Sequence, residues 1–295
     1  MAYETTELKR RINLKLTLKR LDALPAMPAI AQKLLALPLD TSKGEDAMLK
    51  LIGHDPQLSA KIIGLSNSPF FGSPHKIISV RDAAILLGMT RVKSVAIGIA
   101  AMSALTRMPP GRLNIQHLWL HSLAVALSMR KIAQNMPSHL RPNEDQIFLT
   151  GLLHDIGYMV LAYVDIGLSD ELHARMAQEP DRPTLEVEQE LLDITHCELG
   201  AQLADNWMLP PEITNALRYH HTPDSPDIPG KNALIRMINI AEKLQPSFCI
   251  AESAPLDIDD AEWLSLGINP ANLDELRTQV IAQPDQASQL INSPL

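Results

Sequence analysis

Only two cysteines occur in the 295 residues, Cys197 and Cys249, so no disulfide framework replaces a hydrophobic core and a reducing compartment is expected. No apolar run approaches bilayer length: the longest, Val95 to Leu105, is about half of the ~20 residues a membrane helix needs. The opening MAYETTELKRR is too polar for a secretory signal, and the expectation is a cytoplasmic protein without a membrane helix. The apolar/polar alternation of half-buried strands is also missing, and β-branched residues are outnumbered by Ala and Leu. What is present, 46% hydrophobic and 20% charged residues, suffices for a sizeable core in one large or two modest lobes. The expected fold class is all-α.

Charge is unevenly spread. Residues 1–112 carry 16 Lys and Arg against 8 Asp and Glu, whereas residues 113–295 carry 10 against 26. The basic charges are scattered among apolar positions, and Arg10, Arg11, Lys15, Lys19 and Arg20 are the one local concentration. This favours a solvated helix face, or contact with the acidic half, over nucleic-acid binding.

Helix starts are marked along the chain. Glu7 to Leu21 reads as a basic amphipathic helix and Pro28 to Leu37 as an apolar one. Ser42 with Glu45, and Ser79 with Asp82, read as capping boxes; Asp55-Pro56 reads as an N-cap followed by proline, and Thr90 as a further cap. NSPFFGSPHK reads as a structured loop with Phe70 and Phe71 tucked inward, and MPPGRLN, Met108 to Asn114, as a boundary between lobes. The expected division is an N-terminal helix (1–20), a first helical lobe (21–112), a second (113–245) and an acidic extension (246–295) docked by Trp263.

The chemistry centres on IFLTGLLHDIGYMVL, Ile147 to Leu161, read as one largely buried helix with His154 and Asp155 on adjacent sides. A carboxylate taken out of water costs several kcal/mol unless it is compensated. A metal ion would compensate it, and so would a His-Asp hydrogen bond tying two helices together. More candidates follow. His121 lies in the apolar helix Trp119 to Ala133; Thr195 and Glu198 form a capping box that puts His196 in a first turn; a helix from Pro211 ends in His220 and His221; Glu242 interrupts the apolar IRMINIAEKL. Taken singly, each has a plain reading as a core histidine, a first-turn polar residue or a solvated helix end. Together, these seven side chains form two sets of three or four ligands if five helices surround one cavity, with Asp155 able to bridge both. His54, His75, His117, His139 and His173 read as turn or exposed residues without a role.

The motifs LDALPAMPAI, GHDPQLSAKIIGLSNSPFFG, ISVRDAAILLGM, LWLHSLAVAL, GLLHDIGYMVL, HCELGAQLADNWMLP and ALRYHH, in order from about Leu21 to Leu244, resemble the HDOD family. This is the HD-related output domain of bacterial signalling proteins, within the HD superfamily of metal-dependent phosphohydrolases. The resemblance implies an HD-like helical bundle over 113–245, contact with other signalling proteins, and a mono- or binuclear divalent metal (Fe, Mn, Zn or Mg). It would place one ion on His121, His154, Asp155 and Glu242, and a second on Asp155, His196, His220 and His221. It also implies departures from the relatives that hydrolyse cyclic di-GMP. Tyr158 follows Gly157 where they carry a catalytic lysine, HHTPDSPDIPG replaces a glycine-rich GYP loop, and Glu242 replaces an aspartate. Two readings follow: a regulatory module acting by protein or ligand contact, or a phosphohydrolase on a nucleotide or other phosphoester, for which Arg218 and then Arg236 are the nearest phosphate-holding candidates.

Overall fold

The computed structural model of the protein describes residues 24–67, 73, 75–106, 110–245 and 257–283. The expected helix over Glu7 to Leu21 and the placement of Phe70 and Phe71 lie outside the described residues. Among those described there are fifteen α-helices, one 3-10 turn and no strand. The first part comprises α1 (Ala29–Ala36), α2 (Ser42–Gly53), α3 (Pro56–Ser66), α4 (Val80–Leu87) and α5 (Met89–Leu105). The second holds α6 (Ile115–Asn135), α7 (Glu144–Leu153), α8 (Ile156–Val164), α9 (Ile166–Gln178), α10 (Thr184–Leu192), α11 (His196–Asn206), α12 (Pro211–Tyr219) and α13 (Ala233–Leu244). The short α14 (Asp260–Ser265) and α15 (Leu273–Ile281) close the chain.

Local chemistry sets most of these boundaries. The Asp55 carboxylate accepts from Leu58 N at 3.0 Å ahead of Pro56, so it satisfies one of the donors a helix start leaves over. Asp55→Ala is expected to cost about 1 kcal/mol, read as a lower urea midpoint. Ser79 accepts from Asp82 N, and α4 stops at Gly88, whose φ of 93° suits glycine and lets the chain turn sharply into α5. Two expected caps move. Thr41, not Ser42, caps α2 by accepting from Gly44 N, because Ser42 already has helical backbone. Thr90 lies inside the first turn of α5, which begins at Met89 with no side-chain cap.

The apolar run read in the sequence becomes α5, which is buried almost all round. Taking such residues out of water stabilises by about 1.5–3 kcal/mol per large side chain, and this holds α5 at the centre of the first part. One apolar cluster runs from Leu24 to Leu217, with α1, α4, α7 and α8 all packed against α5. A second joins the far face of α6 to α13, α14 and α15, with Trp263 fully buried in it. The basic and acidic halves meet where Arg91 and Lys93 of α5 approach Glu144 (3.9 Å) and Asp145 (3.8 Å) at the start of α7. That start favours carboxylates because its unpaired N–H groups carry partial positive charge. No single described helix is long and apolar enough to cross a membrane.

Candidate metal centre

The expected single helix over Ile147 to Leu161 is broken: α7 ends at Leu153, α8 begins at Ile156, and their axes differ by 41°. Asp155, at φ −97° and ψ 12°, is the residue that leaves helical geometry. The break presents His154 and Asp155 together from a corner, rather than from two sides of one helix. Two glycines let neighbouring helices close on that corner. A Cβ on Gly151 would come within 2.5 Å of Ala126 Cα, so α7 lies directly against α6, which carries His121. A Cβ on Gly157 would come within 1.9 Å of the His196 carbonyl oxygen, so α8 lies against the start of α11.

All seven residues singled out in the sequence lie together, in two adjoining groups. His121 Nε2 and His154 Nε2 are 3.1 Å apart, and Asp155 Oδ2 lies 3.4 Å from the first and 3.3 Å from the second. Glu242 Oε1 is 3.2 Å from His154 Nε2. The other oxygen of Asp155 faces a second group, with His196 Nε2 at 3.5 Å and His220 Nε2 at 3.7 Å, themselves 3.3 Å apart. His221 completes it and lies 3.7 Å from Glu242. His220 and His221 follow α12 rather than ending it, and Asn239 of α13 fixes that turn by donating to the His220 carbonyl at 2.9 Å. One helical turn further along α13 comes Glu242.

Three residues in contact with this group escaped the sequence reading. Cys197 Sγ lies 3.5 Å from His196 Nε2 and 3.9 Å from His220 Nε2. Its one signal is adjacency to His196 in a first turn. Glu188 is fully buried, accepts the His196 backbone N–H at 3.0 Å and sits 2.7 Å from His196 Nδ1. Thr184, Val187, Glu188, Leu191 and Leu192 form the buried stripe of α10, so a carboxylate at a core position of a 3.6-residue period was the available clue. Tyr158, where the resemblance led one to look for lysine, stacks on the His196 ring with centroids 4.3 Å apart and planes at 14°. His173, assigned to an exposed setting in the sequence, is half-buried against Tyr158, and its Nδ1 lies 2.7 Å from the Ser169 carbonyl. Burial lowers its pKa.

The donor set fits divalent metal. Both oxygens of Asp155 and both of Glu242 are buried without a hydrogen bond from any described group, although imidazoles surround them. Their separations of 3.2 to 3.9 Å exceed the roughly 2.7–2.9 Å of a charge-assisted hydrogen bond. Atoms about 2.1 Å from a common ion, at tetrahedral or octahedral angles, would instead stand roughly 3.0–3.4 Å apart. The rings are also held from behind. Nδ1 of His154 lies 2.8 Å from Gly151 O and Nδ1 of His220 lies 2.8 Å from Leu217 O, while Glu188 holds His196; each partner directs Nε2 into the cavity.

Without an ion the charges balance one another. Burial alone would depress the His154 imidazolium, but Asp155 and then Glu242 raise its pKa to about 10. Burial would raise Glu242, yet His221, His220 and His154 bring it down to about 2. Asp155 is likewise held well below the usual range, chiefly by His154 against its own burial. Burial would raise the Cys197 thiol, and His196 and His220 lower it to about 6. Because His154 binds its proton more tightly when folded, its stabilisation is complete below pH 6.5 and lost as pH rises through about 10. That of Glu242 is complete above 4.5 and lost as pH falls through about 2. Both contributions are therefore complete between pH 4.5 and 6.5, and the urea midpoint of chelator-treated protein is expected to fall as pH drops below 4.5 and the buried carboxylates take up protons.

The family model of the HDOD domain matches residues 24–223. A solved structure from Marinobacter aquaeolei VT8, provisionally assigned to signal transduction, superimposes with TM-score 0.78 at 26% identity, covering 97% of this chain and 66% of its own. A protein of Shewanella amazonensis SB2B, provisionally assigned as a phosphohydrolase, shares the fold with TM-score 0.70 at 24% identity, over 93% of this chain and 97% of its own. An uncharacterized protein of Treponema pallidum (strain Nichols) is 24% identical over 215 residues, 70% of this chain and 40% of that protein. This chain thus spans less than two thirds of the length of the Marinobacter and Treponema proteins.

Proposed function

Given that the chain belongs to the HDOD family, we propose that it is a regulatory signalling protein acting by protein or ligand contact, its HD-type pocket retained as a metal site that sets conformation. In this reading residues 21–112 and 113–245 are the two lobes of the output domain. His121, His154, Asp155 and Glu242 would hold one divalent ion, and His196, His220 and His221 with Asp155 a second. Bound there, an ion supplies charge that neutralises the buried carboxylates and joins α6, the α7/α8 corner, α11 and α13 into one unit.

One observation carries the regulatory reading over hydrolysis: the ligand side chains are buried. His154, Asp155 and His220 are fully buried, His121, His196 and Cys197 nearly so, and the most accessible side chain, His221, is only 21% exposed. Among the described residues the ligand side chains offer little surface to a phosphoester, and the two arginines named as phosphate-holding candidates are already paired. Arg218 is engaged by Glu198 at 2.8 Å and Asp205 at 3.1 Å, and Arg236 by Glu262 and Asp224. The alternative, a phosphohydrolase on a nucleotide or other phosphoester, draws on the two ligand groups bridged by Asp155, an arrangement two-metal hydrolases share.

The test pairs hydrogen exchange with a phosphoester screen. Metal loading is expected to slow exchange in α8, α11 and α13 relative to chelator-treated protein, with no substrate turned over. Turnover that depends on metal and disappears in Asp155→Ala would replace the regulatory reading with the hydrolytic one.

A further inference from the structure

We infer that Cys197 is a thiolate ligand, making the group His196, Cys197, His220 and His221 a closed nitrogen-sulfur site for a zinc-like ion, unlike the oxygen-containing group beside it. This rests on the metal reading above and deepens it. The ligand atoms of the four residues lie within 4.8 Å of one another, and those of His121, His154, Asp155 and Glu242 form a separate group of the same size. A thiolate about 2.3 Å and an imidazole about 2.0 Å from one tetrahedral ion stand roughly 3.5 Å apart. Cys197 Sγ is 3.5 Å from His196 Nε2 and 3.9 Å from His220 Nε2, and the two nitrogens are 3.3 Å apart. A second observation points to an ion at the same place: Asp155 Oδ1 is fully buried, has no hydrogen bond from a described group, and faces both imidazoles.

The two groups call for different metals. Two imidazoles with two carboxylates suit harder ions such as Mn²⁺ or Fe²⁺, whereas three imidazoles with a thiolate select Zn²⁺ or another soft ion. With Asp155 Oδ1 facing His196 and His220 of the same four residues, protein donors fill every position around the ion, and such a site is structural, because catalytic zinc keeps one position for water or substrate. The second ion would therefore act as a clamp between the start of α11 and the turn after α12.

The experiment strips full-length protein with chelator, reloads it with Zn²⁺ and with Mn²⁺, and measures bound metal together with zinc X-ray absorption. One sulfur per zinc at about 2.3 Å is expected. Cys197→Ser should lose that sulfur and reduce the preference for Zn²⁺ over Mn²⁺ at one of two bound equivalents by at least about tenfold. Zinc bound by nitrogen and oxygen alone would overturn the proposal while leaving the regulatory metal reading intact. Failure to bind either metal would overturn both. The absorption measurement on the unmodified protein decides even if Cys197→Ser does not fold.

Discussion

Asp155→Ala is expected to abolish metal retention by His121, His154 and Glu242, to weaken it at His196, His220 and His221, and to destabilise chelator-treated protein by about 3–5 kcal/mol at neutral pH. Its two oxygens face different imidazole pairs, His121 and His154 on one side and His196 and His220 on the other. Removing the carboxylate leaves the buried rings of His154, His196 and His220, whose pKa values are raised, without the charge that offsets them, and this is costlier than deleting a whole ion pair. Metal analysis and urea unfolding of the same preparation read both effects. Asp155→Asn, which keeps the shape and removes the charge, should unfold close to Asp155→Ala if charge is the cause. A variant that kept its full metal complement and its unfolding midpoint would show that Asp155 is not the shared element.

Gly157→Ala is expected to cost about 3 kcal/mol or more, above the common overpacking range, because the new methyl meets backbone rather than a side chain that can move. The atoms in its way are the His196 carbonyl oxygen at 1.9 Å and carbon at 2.7 Å. Relief requires α8 to part from α11, which takes His196 and Cys197 away from Asp155. Bound metal should fall toward the single equivalent held by His121, His154, Asp155 and Glu242. Gly200 makes the control, since a Cβ there meets nothing closer than 3.4 Å and Gly200→Ala should unfold near the wild-type midpoint. Equal midpoints for the two variants would remove the close helix approach as the device that assembles the site.

The helical class, most helix starts and the identities of seven converging side chains were determined by the sequence alone. Capping and apolar periodicity act over a few residues, so Asp55, Ser79 and Thr195 declare their helices from nearest neighbours. Thr41 and Thr90 show the reach of that signal: adjacent hydroxyls compete for the cap, and which one wins depends on backbone set from outside the helix. The break at Asp155, the pairing of Cys197 with His220 and the carboxylate of Glu188 behind His196 were decided by tertiary structure. Each depends on how closely helices approach, which Gly151 and Gly157 permit without specifying the partner. Burial of the ligand side chains belongs there too. Whether a histidine can meet a substrate or only its buried neighbours is a property of the assembled bundle, because solvent is excluded by side chains distant in sequence.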